Sequence, residues 1–289
     1  MFCDNTKILV LGSVGMAGHT ITLYFKERGY DVTAFSIYPF PFTKNIIGDA
    51  FDINQFKQII RTDDYDVIIN CIGLLNQVAE QNPSKAVYLN SYLPHFVCDA
   101  VREKKTKLIH MSTDCVFAGN TGPYFENSLR DGTAFYDRTK ALGEVEDEKS
   151  LTFRNSIIGP DMNENGIGLF NWFMRQKGTL SGYTGALWTG VTTLTLAKAM
   201  EQAIKENLTG IYNLVNNESI SKYNLINLFN RHFRNNRLVI NQDDKLQLDK
   251  SLRNTRKDFS FVVPSYEQMI IEMKEWIENH LELYSHYRL

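Results

Sequence analysis

Tyr136 and Lys140 stand four residues apart in the run Phe135-Tyr136-Asp137-Arg138-Thr139-Lys140, so on a helix both side chains share one face. A phenol beside an ammonium is a pair able to hold and move a proton. By itself the spacing also suits a surface pair. Here it follows five strand–helix units and the hydroxyls of Ser112-Thr113-Asp114, which close the strand-like run Lys107–Met111. Hydroxyls at the carboxyl end of a parallel strand sit where open α/β sheets bind ligands. The second group of chemical interest is Gly12-x-x-Gly15-x-x-Gly18. In a dinucleotide site the first glycine allows the tight turn, the second lets the backbone approach a pyrophosphate, and the third packs helix on strand. A plain strand–helix turn is the competing reading.

These residues need a scaffold. Ile8–Leu11 is apolar without alternation, as in a strand covered on both faces, and Ile21, Leu23, Tyr24 and Phe25 start a helical pattern after the glycines. A second strand, Asp31–Phe35, ends near Ser36, where NAD-specific sites carry an acid for the ribose diol. Ser36 is neutral and Lys44 is the nearest base, which tilts the cofactor toward NADPH, with NADH open. Asp49, after the short strand at Ile46-Ile47, is placed to take a hydrogen bond from an adenine amino group or to serve a surface turn, and Asp52 to cap the next helix. Asp66–Ile72 reads as a buried strand closed by Gly73, where the backbone can pass close to the cofactor. Asn70 within it needs a hydrogen-bond partner. A long helix spans about Pro83–Glu103, and Asn90 inside it suits a site role or a structural one. Leu151–Ile158 reads as a sixth strand. Leu169–Met174, Thr193–Ile204, Tyr223–Phe233 and Tyr266–Leu281 read as helices, with a strand at Ile211–Val215. The aromatics Phe170, Trp172, Tyr183 and Trp188 are core residues by base rate, with one or two free to line a pocket.

Composition narrows the class. The 289 residues carry 43% hydrophobic and 22% charged side chains and a net charge of −2, an ordinary balance that gives no reason to expect nucleic acid or a membrane as partner. The four cysteines, Cys3, Cys71, Cys98 and Cys115, have no metal-ligand spacing, so reduced thiols and no bound metal are expected. Neither a signal peptide nor a membrane span is visible, and a cytoplasmic protein is the expectation.

In order along the chain, the glycine motif, STDCVFAG, YDRTKALGE, FRNSIIGP, LTGIYNLV and Lys250-Ser251-Leu252-Arg253-Asn254-Thr255 resemble the extended short-chain dehydrogenase/reductases, in the branch of the dTDP-4-dehydrorhamnose reductases. The resemblance implies a Rossmann doubly wound parallel sheet in residues 1–150. A smaller α/β substrate lobe in residues 151–289 would return segments to that sheet. It implies a nucleotide-linked 4-keto-6-deoxysugar as substrate, in deoxysugar biosynthesis for cell-surface polysaccharide, with a homodimer as the assembly to test. Ile157 follows Arg154-Asn155-Ser156 where the rhamnose enzymes usually carry a tryptophan, which opens UDP- and GDP-sugars beside dTDP.

Under the same resemblance, hydride comes from the nicotinamide and Tyr136 gives the proton, with Thr113 on the same oxygen. A phenol pKa near 10 falls by roughly three units if about 4 kcal/mol favours the phenolate. A cation about 4 Å away supplies on the order of that, so Lys140 is expected to lower Tyr136 while also holding the ribose. Gly12, Gly15, Met16, Gly18, Ser36, Asp49, Ala50, Cys71, Ile72, Gly73 and Asn90 are then cofactor residues with Tyr136 and Lys140. Thr113, Asp114, Tyr136, Asn155, Trp188 and Arg253 are substrate residues, with Lys250 beside Arg253 as a second cation and Asp114 orienting its loop. Two alternatives stay open. One is an epimerase or epimerase/reductase, with Cys115 near the strand end as an added acid. The other is a non-catalytic NADP-binding regulatory subunit, of the kind that serves methionine adenosyltransferase.

Overall fold

The structure, a computed structural model, describes residues 6–62 and 64–287. Cys3 lies outside the described residues. The first part of the chain runs β1 (Lys7–Leu11), α1 (Met16–Glu27), β2 (Asp31–Ser36), β3 (Lys44–Ile47), α2 (Ile53–Thr62), β4 (Val67–Asn70), α3 (Asn76–Gln81) and α4 (Pro83–Ala86). A π turn (Val87–Tyr92), α5 (Leu93–Ala100), β5 (Lys107–Met111), α6 (Phe135–Leu142) and β6 (Leu151–Arg154) follow. The second part runs β7 (Ser156–Ile158), α7 (Leu169–Met174), β8 (Thr179–Tyr183), β9 (Ala186–Trp188), β10 (Gly190–Thr192) and α8 (Thr193–Lys205). It continues through β11 (Gly210–Asn213), β12 (Ile220–Ser221), α9 (Lys222–Arg234), β13 (Val239–Asp243), β14 (Leu248–Asp249) and α10 (Tyr266–Asn279).

Seven strands form one parallel sheet in the order β11-β6-β5-β4-β1-β2-β3. Its interior follows from the period-two direction of side chains along a strand. Ile8 and Val10 of β1 enter one core, Leu9 and Leu11 the other. Both faces are covered, so β1 has no polar alternation. Strand order reverses at β1, with β4 on one side and β2 on the other, and this switch point is where such sheets take ligands.

Two readings are corrected here. Leu151–Ile158 is two strands: β6 completes the parallel sheet between β5 and β11, while β7 leaves it and pairs with β10. Lys44 pairs in register with Thr33 and its ammonium sits 2.8 Å from Asp31 Oδ1. It therefore belongs to the amino-terminal end of β2 and is remote from Ser36 at the opposite end. Three small sheets, β7 with β10, β9 between β12 and β14, and β8 with β13, build the rest with α7, α9 and α10. Among the described residues no helix is long and apolar enough to cross a membrane.

Candidate active site

The carboxyl ends of β1, β4, β5 and β6 converge on one edge of the sheet. After β1, Gly12 turns with φ +82° and its N–H donates to Phe35 O at 2.8 Å. This is the left-handed region that glycine adopts without cost. A Cβ on Gly18 would lie 2.1 Å from Gly12 O, so helix and turn fit only without one. Gly15 precedes α1 with no side-chain cap, and the first turn carries no acid. Its N–H groups and dipole are thus left for an anion, which fits a pyrophosphate. The Met16 side chain leans on the next lobe, its sulfur 3.8 Å from Asn171 Nδ2.

The residues expected beside an adenine are held in turn contacts. Ser36 is buried and gives its hydroxyl to Tyr38 O at 2.7 Å. Asp49 Oδ1 accepts the N–H of Phe51 at 3.0 Å, the surface-turn alternative, and Asp52 Oδ1 caps α2 through Gln55 N–H at 3.1 Å. Ala50 is fixed by the Tyr88 hydroxyl on its carbonyl, 2.8 Å away.

Past β4, the backbone of Cys71 and Ile72 runs beside Gly12, and Gly73 faces Asn90 Oδ1. Burial pushes the Cys71 thiol up to about 12. Asn90 does not reach toward a cofactor. Its Oδ1 accepts Leu74 N–H at 2.8 Å, and its Nδ2 donates to Leu74 O at 2.9 Å and Thr139 Oγ1 at 3.1 Å. The amide is spent tying the strand end to α6, and the π turn places it, as π turns often do near sites. Asn90 is a positioning residue.

Thr113, Tyr136 and Lys140 all come to this edge, each nearly closed to solvent at 8%, 6% and 5% exposure. The Thr113 hydroxyl adjoins the Tyr136 phenol, donates to Asp114 Oδ1 at 3.1 Å and accepts Cys115 N–H at 3.1 Å. The Tyr136 phenol is raised, not lowered: burial leads, Cys115 adds to it, and the Thr113 hydrogen bond opposes. Desolvation disfavours the phenolate more than its surroundings favour it. The Lys140 ammonium meanwhile donates to Met111 O at 2.6 Å and is pushed down to about 8 by burial, against the charges of Glu144 and Cys71.

His110 adjoins Lys140 and was missed in the sequence, where it reads as one residue of an apolar strand. Ile72 N–H donates to Asn70 Oδ1 at 3.1 Å, which leaves Asn70 Nδ2 to donate to His110 Nδ1 at 3.2 Å. The proton of the neutral ring is then on Nε2, 3.4 Å from Lys140 Nζ, a contact unfavourable to an ammonium. Also missed was the Glu144–Arg154 pair, both side chains fully buried. Arg154 binds both carboxylate oxygens, at 2.8 and 2.7 Å, and the Ser112 hydroxyl donates to Oε1 at 2.6 Å. Burial works to raise Glu144, and Arg154, Ser112 and Arg130 together bring it below the usual carboxylate value.

The residues expected to bind substrate divide. Asp114 is buried beside Thr113, raised by burial against the pull of Thr113 and the charges of Lys250 and Lys222. Asn155 is buried between β6 and β7, its Oδ1 without a hydrogen-bond partner. Trp188 is a core residue, 5% exposed, with its ring centroid 5.6 Å from that of Tyr266, and offers no free face to a sugar. Residues 249–253 lie along the loop after β5: Asp249 N–H donates to Gly119 O at 2.9 Å and Arg253 N–H to Tyr124 O at 2.8 Å. This puts Lys250 3.6 Å from Asp137, next to Tyr136. The half-buried Arg253 guanidinium donates to Leu252 O at 3.2 Å and lies near Tyr266. Cys115 is pushed up to about 12 by burial. Among the described residues, no three His, Cys, Asp or Glu side chains come together as a metal site.

Known proteins resemble this chain along nearly its whole length. The dTDP-4-dehydrorhamnose reductase of Salmonella typhimurium is 26% identical over 221 residues, 72% of each chain. Methionine adenosyltransferase 2 subunit beta of Xenopus laevis is 24% identical over 76% of this chain and 70% of its own. The fold matches the crystal structure of dTDP-4-dehydrorhamnose reductase from Bacillus anthracis in complex with NADP, with a TM-score of 0.77 at 18% identity over 95% of this chain and 99% of that one. The model of the RmlD substrate binding domain matches residues 6–258. That match covers most of the chain, parallel sheet, glycine turn and Thr113, Tyr136 and Lys140 included, and the chain belongs to the RmlD substrate binding domain family.

Proposed function

We propose that this protein is an NADPH-dependent reductase of a nucleotide-diphosphate sugar, of the 4-keto-6-deoxy class, working in the cytoplasm toward cell-surface polysaccharide. The observation that carries the reading is the burial of Thr113, Tyr136 and Lys140 together at the end of β5, where Lys140 holds Met111 O, on the edge where the uncapped α1 and its glycine turn offer an anion site. The nicotinamide cofactor, when bound, supplies the hydride. Gly12, Gly15 and Gly18 make room for its pyrophosphate, and neutral Ser36 leaves a 2′-phosphate unopposed. Tyr136 is protonated at neutral pH, as an ordinary phenol is and more so with burial raising it, the state a proton donor requires. Thr113 and Tyr136 both hydrogen-bond the substrate oxygen as negative charge develops on it, and Lys140 holds the ribose.

An epimerase that inverts a carbon beside a ketone needs a base that removes its proton, and a Cys115 thiol pushed up to about 12 is a poor one at neutral pH. The experiment follows loss of NADPH absorbance with 4-keto-6-deoxysugars carried on dTDP, UDP and GDP. Turnover is expected with one of them. Tyr136→Phe should lose it by ~10²-fold or more, the usual weight of a general acid, with NADPH affinity unchanged. Absence of turnover on all three, with a second protein copurifying, would establish the regulatory-subunit reading instead.

A further inference from the structure

Helix α1 carries a buried histidine that the chemistry above does not use. His19 is fully enclosed. Its Nδ1 lies 2.9 Å from Gly15 O and its Nε2 lies 2.7 Å from the hydroxyl of Tyr284. A carbonyl only accepts, so Nδ1 bears the proton, and Nε2 accepts from the tyrosine. The tyrosine oxygen in turn accepts the indole N–H of Trp276 at 3.2 Å. Every group in the chain Trp276, Tyr284, His19, Gly15 thus has one consistent direction of donation. Burial pushes His19 down to about 4, so the neutral ring and its single tautomer persist at physiological pH.

The carbonyl at the far end of this chain belongs to the middle glycine of the cofactor turn. Gly15 O also accepts His19 N–H at 3.0 Å, and Gly15 N–H donates to Gly12 O at 3.1 Å. The Gly15 peptide is held at both ends, in a loop whose glycines would otherwise be the freest residues in the site. A second tyrosine of the same segment acts on the facing lobe. The hydroxyl of Tyr287 accepts Asp161 N–H at 2.8 Å and donates to Asn171 Oδ1, and Asn171 Nδ2 reaches Gly159 O at 3.0 Å and the sulfur of Met16 at 3.8 Å. Both tyrosines lie beyond residue 258, where the family match ends.

We infer that the segment after α10 is a brace for the cofactor turn, with Tyr284 and His19 as positioning residues that set the Gly15 peptide for the pyrophosphate. The brace rests on the dinucleotide reading of that turn. Binding to a pre-set loop avoids the entropy of ordering it, so loss of the brace should appear in cofactor affinity. Tyr284→Phe keeps the ring and removes only the oxygen. NADPH affinity, measured by fluorescence titration of the whole protein, should weaken about three- to tenfold, the weight of one net hydrogen bond. The apparent KM for NADPH should rise with kcat held within about twofold, a split that general loosening of the fold would not produce. In a His19→Leu background, or His19→Gln if the leucine variant does not fold, Tyr284→Phe should have no further effect, because the route to Gly15 is already broken. Wild-type protein that does not bind NADPH overturns the cofactor reading and the brace with it. Wild type that binds, with Tyr284→Phe binding equally well, overturns the brace alone. Equal weakening by Tyr284→Phe in both backgrounds overturns the route through His19.

Discussion

Lys140 shows how far a functional side chain departs from what is best for stability. Its folded pKa is about 8 against 10.5 for a free lysine. The unfolded chain therefore binds more protons than the native one between those values, and stability must rise with pH there. Below about 8 the whole burial cost is present, on the order of 3 kcal/mol at 1.36 kcal/mol for each unit. Lys140→Met removes that cost and forfeits the charged hydrogen bond to Met111 O, worth roughly 1.5–3 kcal/mol. The expected outcome is a variant more stable by up to about 2 kcal/mol at pH 7, with weaker NADPH binding and little turnover. Urea unfolding at a series of pH values checks it: the advantage over wild type should shrink from pH 8 upward. A variant less stable than wild type at pH 7 would mean that Lys140 is a structural anchor.

At the scale of elements, the site depends on how α6 is fastened to its two strands. Glu144, one turn beyond Lys140, takes Ser112 from the end of β5 and Arg154 from the end of β6. The pair sets the distance between Thr113 and the face bearing Tyr136. Removing one partner leaves a buried unpaired charge, and Glu144→Ala should cost about 3–5 kcal/mol, read as a fall in the urea midpoint at unchanged slope. That Tyr136 and Lys140 share one face of α6 was legible in the sequence because it needs only helical spacing, and β1 because four consecutive apolar residues have one explanation. The fastening was not legible. Glu144 and Arg154 look like surface charges until the strand ends are brought together, and Asn90 finds its carbonyl partner 16 residues away. The direction of the Tyr136 shift was misread for a related reason. Helical spacing brings Lys140 to the same face, but only the packed site shows that burial outweighs charge and that Met111 O takes the ammonium. Trp188 was misplaced because its cover, Tyr266, comes from another part of the chain.

On the scale of the whole molecule, we propose that the substrate lies between the sheet edge and the strip at residues 249–253. Arg253 is the residue we propose for the diphosphate, since its planar fork can bind two oxygens at once. Arg253→Ala should raise KM for the nucleotide sugar and lower kcat/KM by ~10–150-fold, the weight of a charged hydrogen bond, with NADPH affinity within about twofold. Steady-state kinetics with the productive sugar nucleotide decides it, and an unchanged kcat/KM would place the diphosphate elsewhere. The same architecture limits how this enzyme can be remade. Leu151–Ile158 is one run of chain whose first half is a rib of the large sheet and whose second half belongs to the other lobe, with Asn155 as the only residue between them. The large sheet then recruits β11 from deep within the second half. A chimera that exchanges everything after residue 150 for the corresponding part of a relative, to change the sugar accepted, would transplant two ribs of the cofactor sheet along with the pocket. The modular unit for retargeting is narrower, the stretches between β7 and α8 and from β12 to the strip, grafted onto a sheet left whole.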